Sequence, residues 1–167
     1  MISPTGRKNP PHKPLSAGFT LVELMLVVTI ISILIGLSTP LFRRTFRDTR
    51  LENTCLNLSK LMRYARERAI GERLSHRISF DEEMRTYWLE AELSPESDFQ
   101  RIKGKPGKTN LVPEDITIEG RGKEVTFYPD GSADQTALYL MNSNERVYTI
   151  EIRGVDGYVK IFRYRKE

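Results

Sequence analysis

The sequence predicts an α+β fold: one long N-terminal helix, membrane-spanning in its first half and amphipathic in its second, packed on an antiparallel β-sheet body of one sheet or two stacked sheets. Three observations carry this. Residues 19–39 form a continuous apolar run, and residues 51–69 place apolar side chains at helical spacing. Beyond residue 74 the pattern changes to alternation, punctuated by turn residues.

A chain of 167 residues holds one ordinary domain. Its 39% apolar share and net charge of +4 argue against wholesale disorder. A single Cys excludes an internal disulfide framework, and a single long apolar stretch excludes a multi-span membrane protein.

Residues 1–18 contain Arg7, Lys8 and Lys13, four prolines and no acid. Such a leader has no apolar face to bury and stays extended and solvated. Taking its three cations from the total of 26 leaves 23, against 22 acidic residues. The pI near 9.2 is thus partly a leader effect, and no general nucleic-acid role follows from it.

Residues 19–39 comprise 14 large apolar side chains, Gly36, three Thr, two Ser and one charge, Glu23. As a helix the run is roughly 31 Å long, matching a hydrocarbon core of about 30 Å. No other segment is apolar enough to surround it as a buried soluble helix. Cations flank both ends (Arg7, Lys8 and Lys13 before; Arg43, Arg44, Arg47 and Arg50 after), so charge leaves the orientation open.

Glu23 is the residue that needs a partner. A carboxylate four residues inside a span is costly unless it snorkels to the headgroups or meets a cation. Cleavage after Gly18 would supply a cation, because the new amino group of Phe19 lies four residues away, one helical turn. The amino group of a neighbouring subunit would serve equally well.

Gly18-Phe19-Thr20-Leu21-Val22-Glu23-Leu24, behind a short basic leader and before a continuous apolar run, resembles the type IV prepilin signal. Pilins and the pseudopilins of type II secretion share that signal. The resemblance implies a pilin-like fold, cleavage after Gly18 by prepilin peptidase, and methylation of the new Phe19 amino group. It further implies that Glu23 guides filament assembly, and that Pro40 sits where such helices bend. The implied partners are the peptidase/methyltransferase, other pseudopilins or pilins through the N-terminal helix, and inner-membrane lipid. A competing reading takes residues 24–35 as the core of an ordinary secretory signal, cut after Ser38 at Gly36-Leu37-Ser38. Glu23, the long approach to that core and Pro40 behind the cut all weigh against it.

After Pro40, Leu51, Cys55, Leu58, Met62, Ala65 and Ala69 recur at spacings of 4, 3, 4, 3 and 4, one helical face with Leu61 and Ile70 beside it. The small residues at its far end imply close approach to a sheet of the same chain. Gly71 marks the stop, with Glu72 and Arg73 as an extension. Cys55, inside the stripe, reads as a small buried hydrophobe. Arg43, Arg44, Arg47 and Arg50 stand at the membrane exit, against headgroups or on a filament surface.

In the body, His76, Ile78 and Phe80 alternate with Arg77 and Ser79, while Tyr87, Leu89, Ala91 and Leu93 alternate with Trp88, Glu90 and Glu92. A turn at 81–84 makes these runs a hairpin. Further strands are expected at 116–118, 125–128, 137–141, 147–152 and 158–164, with turns at 129–132 and 154–157. Residues 94–115, with three prolines, two glycines and the cluster Arg101, Lys103, Lys105 and Lys108, read as a long mobile basic loop. Its Gly-Lys-Pro-Gly-Lys-Thr run is no phosphate-binding loop. The glycine spacing is wrong, and Pro106 removes a backbone donor.

Two body segments are similar to the H-type (GspH/FimT-like) minor pseudopilin branch: residues 63–70, Arg-Tyr-Ala-Arg-Glu-Arg-Ala-Ile, and residues 127–132, Phe-Tyr-Pro-Asp-Gly-Ser. The Gly-Arg that often precedes the last strand in that branch is here Gly157-Tyr158.

Catalytic chemistry is missing from the pattern. His12 lies in the leader and His76 on a strand, so neither joins Cys55 or a Ser and Asp in a nucleophilic set. No zinc-ligand spacing occurs, and Asp130 and Asp134 flank a turn that lacks the terminal acid of a calcium loop. No enzyme, cofactor or metal is expected.

The expected organisation is a cleaved leader at 1–18, a membrane helix at 19–39, its amphipathic continuation at 40–73, and a periplasmic β-rich domain at 74–167. The expected function is that of a non-catalytic minor pseudopilin of type II secretion, held in the bacterial inner membrane. The alternative is a minor type IV pilin in pilus assembly or DNA uptake, with Arg101, Lys103, Lys105 and Lys108 and the tail cations Lys160, Arg163, Arg165 and Lys166 on phosphates. Solvated surface is the simpler account of both clusters, and nucleic acid is not the favoured partner. The third reading is a soluble domain released after Ser38.

Overall fold

A computed structural model describes residues 18–95 and 97–165; inside its helix the side chains of residues 37–43 are not among those described. The leader through residue 17, the side chains of Pro40 and Arg43, and the tail Lys166 therefore lie outside the described residues. The chain divides into two compact units, residues 1–39 and 40–167.

Helix α1 runs from Leu21 to Glu72. Its start is set by Thr20, whose Oγ1 accepts from the Glu23 N–H at 3.2 Å while its carbonyl accepts from the Leu24 N–H at 3.2 Å. That makes Thr20 the N-cap and Glu23 the third helical residue, the spacing of a capping box. Thr29 and Ser32 turn their hydroxyls back onto the carbonyls of Met25 and Val28, at 2.8 and 2.7 Å. The single hydroxyl proton of each is thus spent within the helix.

In the second unit all six stripe residues, from Leu51 to Ala69, are fully buried. Burying Leu51, Leu58 and Met62 alone is worth roughly 1.5–3 kcal/mol each. Cys55 sits among them, and burial, helped by the nearby Glu52 charge, pushes its thiol up to about 12. The helix passes the expected stop at Gly71. Glu72 ends it, and Arg73 takes the left-handed conformation (φ 57°) that closes such ends.

Among the described residues nine strands follow, in two antiparallel sheets. The first sheet contains β1 (His76–Phe80), β2 (Thr86–Glu92), β3 (Phe99–Arg101), β4 (Asn110–Leu111) and β6 (Glu124–Phe127); its order is β3-β2-β1-β6, with β4 also paired to β2. The second contains β5 (Ile116–Gly120), β7 (Thr136–Asn142), β8 (Val147–Ile152) and β9 (Val159–Phe162), in the order β5-β7-β8-β9. Because β6 returns to the first sheet between β5 and β7, neither sheet is complete without the other. Helix stripe and inner sheet faces merge into one core cluster, in which Phe127 is fully buried.

The expected hairpin is present as β1–β2, and its register places Phe80 opposite Tyr87 and Ile78 opposite Leu89. Its turn is closed by the Asp81 carboxylate, which accepts from the N–H groups of Arg85 and Thr86 at 2.6 and 3.0 Å. Leu93 departs from the expected alternation. Strand β2 ends at Glu92, and Leu93 is 68% exposed.

The larger correction concerns residues 94–115. They are not one irregular loop: β3 and β4 both pair with β2, and a 3-10 turn at Lys105–Gly107 joins them. Gly107 makes that fold-back compatible with close packing, since a Cβ there would stand 1.7 Å from the Ile102 carbonyl oxygen. Asn110 Nδ2 then donates to the carbonyls of Tyr87 and Lys108. Strands this short carry no readable period, so composition alone pointed to a loop.

Candidate functional site

The N-terminal segment presents its residues outward. Gly18 is exposed, and among the described residues a Cβ there would meet nothing within 4 Å, so none of the described packing requires a small residue. Phe19 is 81% exposed, and every described residue from 18 to 36 is exposed. An apolar surface of that length calls for a cover, either lipid or neighbouring helices. Glu23 lies in the first turn, where the aligned backbone dipoles favour a negative charge. Thr20, three residues ahead of Glu23, is a participant the sequence reading passed over; the Thr-x-x-Glu spacing was its signal.

Among the described residues no helix is long and apolar enough to cross a membrane. The described apolar side chains of α1 cover residues 21–36, roughly 24 Å at helical rise, against a hydrocarbon core of about 30 Å. The span at 19–39 therefore rests on the sequence.

The two body segments quoted above meet in space. Arg66 Nε donates to the Asp156 carbonyl at 2.7 Å, and Arg63 Nη2 donates to the Val159 carbonyl at 3.3 Å. Gly131 and Gly157 both have positive φ, and a Cβ on Gly157 would lie 2.6 Å from the Gly131 carbonyl oxygen. The helix end, the 129–132 turn and the 154–157 turn are thus locked together. Asp130 accepts from Ser132, and Asp134 accepts from the Thr126 N–H and the Tyr128 hydroxyl, so both carboxylates serve the turn. Among the described residues no group of three or more His, Cys, Asp or Glu side chains is placed to hold a metal ion.

The basic candidates separate into two sets. In the tail, Arg163 pairs with Glu52 at 3.1 Å, and Arg165 pairs with Glu119 at 3.4 Å while lying over the Tyr139 ring. Lys160 lies over the Phe162 ring at 4.8 Å. These groups are already engaged. In the insertion, Arg101 stacks on Trp88 at 4.3 Å and donates to Thr109, whereas Lys103, Lys105 and Lys108 are exposed with no ion-pair partner among the described residues. The tail strand β9 belongs to the second sheet and the insertion to the first, so the fold does not merge them into one strip.

Beside Arg101 lies a polar knot on the outer face of the first sheet. Glu90 accepts from Arg77 and Ser79 on one oxygen, at 2.8 and 2.9 Å, and from Trp88 Nε1 on the other at 2.7 Å. Burial pushes its carboxyl up, but these hydrogen bonds and the Arg77 charge outweigh burial and hold it below the usual 4.5. A carboxylate depressed in the folded state contributes stability that is complete above its unfolded value and lost as pH falls through the folded one. Acid titration followed by Trp88 fluorescence should therefore show stability falling from about pH 4.5 downward. Glu90→Gln should flatten that slope and cost about 1–3 kcal/mol at neutral pH.

Residues 13–39 match the family model described as the prokaryotic N-terminal methylation motif. Two structures of the minor pseudopilin EpsH from the type II secretion system of Vibrio cholerae resemble the chain. One has a TM-score of 0.60 at 9% identity, over 73% of this chain and 99% of that one. The other has a TM-score of 0.59 at 10% identity, over 68% and 97%. The type IV minor pilin FimU of Pseudomonas aeruginosa matches with a TM-score of 0.51 at 13% identity, over 74% of this chain and 92% of that one. No curated protein matches the sequence significantly. At such identities the likeness is one of fold: a helix on antiparallel sheets, the pilin-like α+β arrangement.

Proposed function

We propose that this chain, which joins an N-terminal methylation motif to a pilin-like fold, is a minor pseudopilin of a type II secretion system. The observation that carries the reading is that conjunction, with the body scoring higher against minor pseudopilin EpsH than against minor pilin FimU. Prepilin peptidase cuts after Gly18 and methylates Phe19. Residues 19–39 anchor the chain in the inner membrane, and the sheet domain stands in the periplasm.

The role is mechanical and non-catalytic. The outward-facing apolar run is covered first by lipid and then by the spans of neighbouring subunits. Glu23 is the sole charge in that run. In the precursor its carboxylate is favoured by the first-turn amides; after cleavage the Phe19 ammonium of its own or an adjacent subunit neutralises it in a medium of low dielectric. That pairing favours side-by-side packing in one register. The minor type IV pilin is the second reading, supported by the FimU match over three quarters of this chain. The paired tail cations give it little help with DNA.

Intact-mass analysis of the membrane-extracted protein tests the core of this. Phe19 with one added methyl is the expected amino terminus. Thr39 would indicate ordinary secretory processing, and Met1 would overturn both. Deleting the gene should then deplete an exported protein from the medium; loss of surface pili with secretion intact would favour the second reading.

A further inference from the structure

Three of the exposed basic side chains of the 94–110 insertion, Arg101, Lys103 and Lys105, rim two open grooves, each of about 600 Å³ (600 and 590 Å³), between that insertion and the second half of α1. In the first, Leu61, Tyr64, Tyr87 and Pro106 form an apolar floor, with Lys60 and Lys105 at the rim. In the second, Leu74 and Ile102 form the floor and exposed Leu93 stands at its edge, with Arg68, Arg101 and Lys103 at the rim. The grooves adjoin. The Arg68 guanidinium lies 5.8 Å over the Tyr64 ring, and the Ile102 backbone touches Gly107 next to Pro106. One helix line (60, 64, 68, 72) walls both, a length of roughly 18 Å, which an extended peptide of about five or six residues would match.

We infer that this channel binds a short extended peptide segment of another protein, one that alternates carboxylates with aliphatic side chains. Charge selects the class of occupant. Lys60, Lys103 and Lys105 have no ion-pair partner among the described residues, while Glu72 is already paired with Arg68 and Glu92 accepts from the Ser75 N–H. Carboxylates therefore find cations that are free to meet them. The aliphatic floor would go unused by a phosphate backbone, and 68% exposed Leu93 gains cover only from an apolar side chain. The chain's own leader is the wrong occupant, because residues 1–18 carry three cations and no acid. Extended peptides laid along a preformed groove are a recurring mode of recognition. This inference holds for either filament system.

The test uses the full chain in a neutral detergent and a fluorescein-labelled octapeptide alternating Glu and Leu, with Gln–Leu and Lys–Leu analogues, read by anisotropy. Partitioning into detergent is common to wild type and variants and cancels. Saturable binding of the Glu–Leu peptide is expected, at least tenfold tighter than either analogue. Lys60→Glu with Lys105→Glu should weaken it at least tenfold, and Lys160→Glu on the other sheet should leave it unchanged. Circular dichroism matching the wild type keeps the double variant interpretable. Gly107→Val, which alters the wall without altering charge, should also weaken binding. Absence of saturable binding, equal affinity for the Gln–Leu analogue, or an unaffected double variant overturns the inference. So does tighter, salt-sensitive binding of an oligothymidine, or self-association that Lys103→Glu abolishes, which would make the occupant nucleic acid or a second copy.

Discussion

A Gly18→Leu chain is expected to remain at precursor mass in membranes that convert the wild type fully, and a Glu23→Val chain is expected to be cut yet stay out of the filament. The two outcomes separate processing from assembly. Among the described residues no atom lies within 4 Å of a Cβ on Gly18, so the leucine disturbs none of the described packing and its expected effect comes from an external recognition site. Glu23→Val removes a group that costs several kcal/mol to hold within a span unless it is neutralised. If the carboxylate were only a helix-capping device, its loss would cost a few tenths to 1 kcal/mol of helix stability, and assembly would continue. If it pairs with the Phe19 ammonium of a neighbour, the variant should partition into membranes more firmly while its share of the sheared filament fraction falls at least tenfold. Normal incorporation of the valine chain, or full activity of uncut Gly18→Leu, would remove the basis of the proposed function.

Phe127→Ala should be the most damaging single truncation in the sheet domain. Among the described residues Phe127 is the largest of the fully buried side chains; it ends β6, pairs with His76 and bridges to Ala133, where the chain turns back toward the second sheet. Removing a buried Phe costs about 3–5 kcal/mol, the transfer free energy plus an unfilled cavity. For a domain with a urea slope of about 1–3 kcal/mol per molar, the midpoint should drop by more than 1 M. Trp88, the only tryptophan, reports the transition. Val155→Ala, at a site 94% exposed, should stay within about 0.5 kcal/mol of wild type. Near-equal midpoints for the two variants would mean that the core is not organised around β6.

Much of the candidate site was legible because its signals are local. The glycine-aromatic junction, the carboxylate four residues on and the apolar run lie within one short stretch, and a capping box was readable there as well. The helix stripe was legible for the same reason: residues 51 to 69 repeat at the helical period, and all six are buried as that period demands. The basic insertion was legible in its charge only. Its strands are two and three residues long, too short for alternation to register.

The helix, its buried face, the β1–β2 hairpin and the N-terminal methylation motif could be read along the chain, since each depends on residues close together in sequence. Long-range packing selected the return of β6 to the first sheet, the Arg66–Asp156 lock, the Glu90 knot and the folding of the insertion into a groove wall. Apart from the Trp88–Glu90 bond, those contacts join residues from seven to ninety positions apart. Many alternative partners look equally suitable from either end, and only simultaneous burial in one core selects among them.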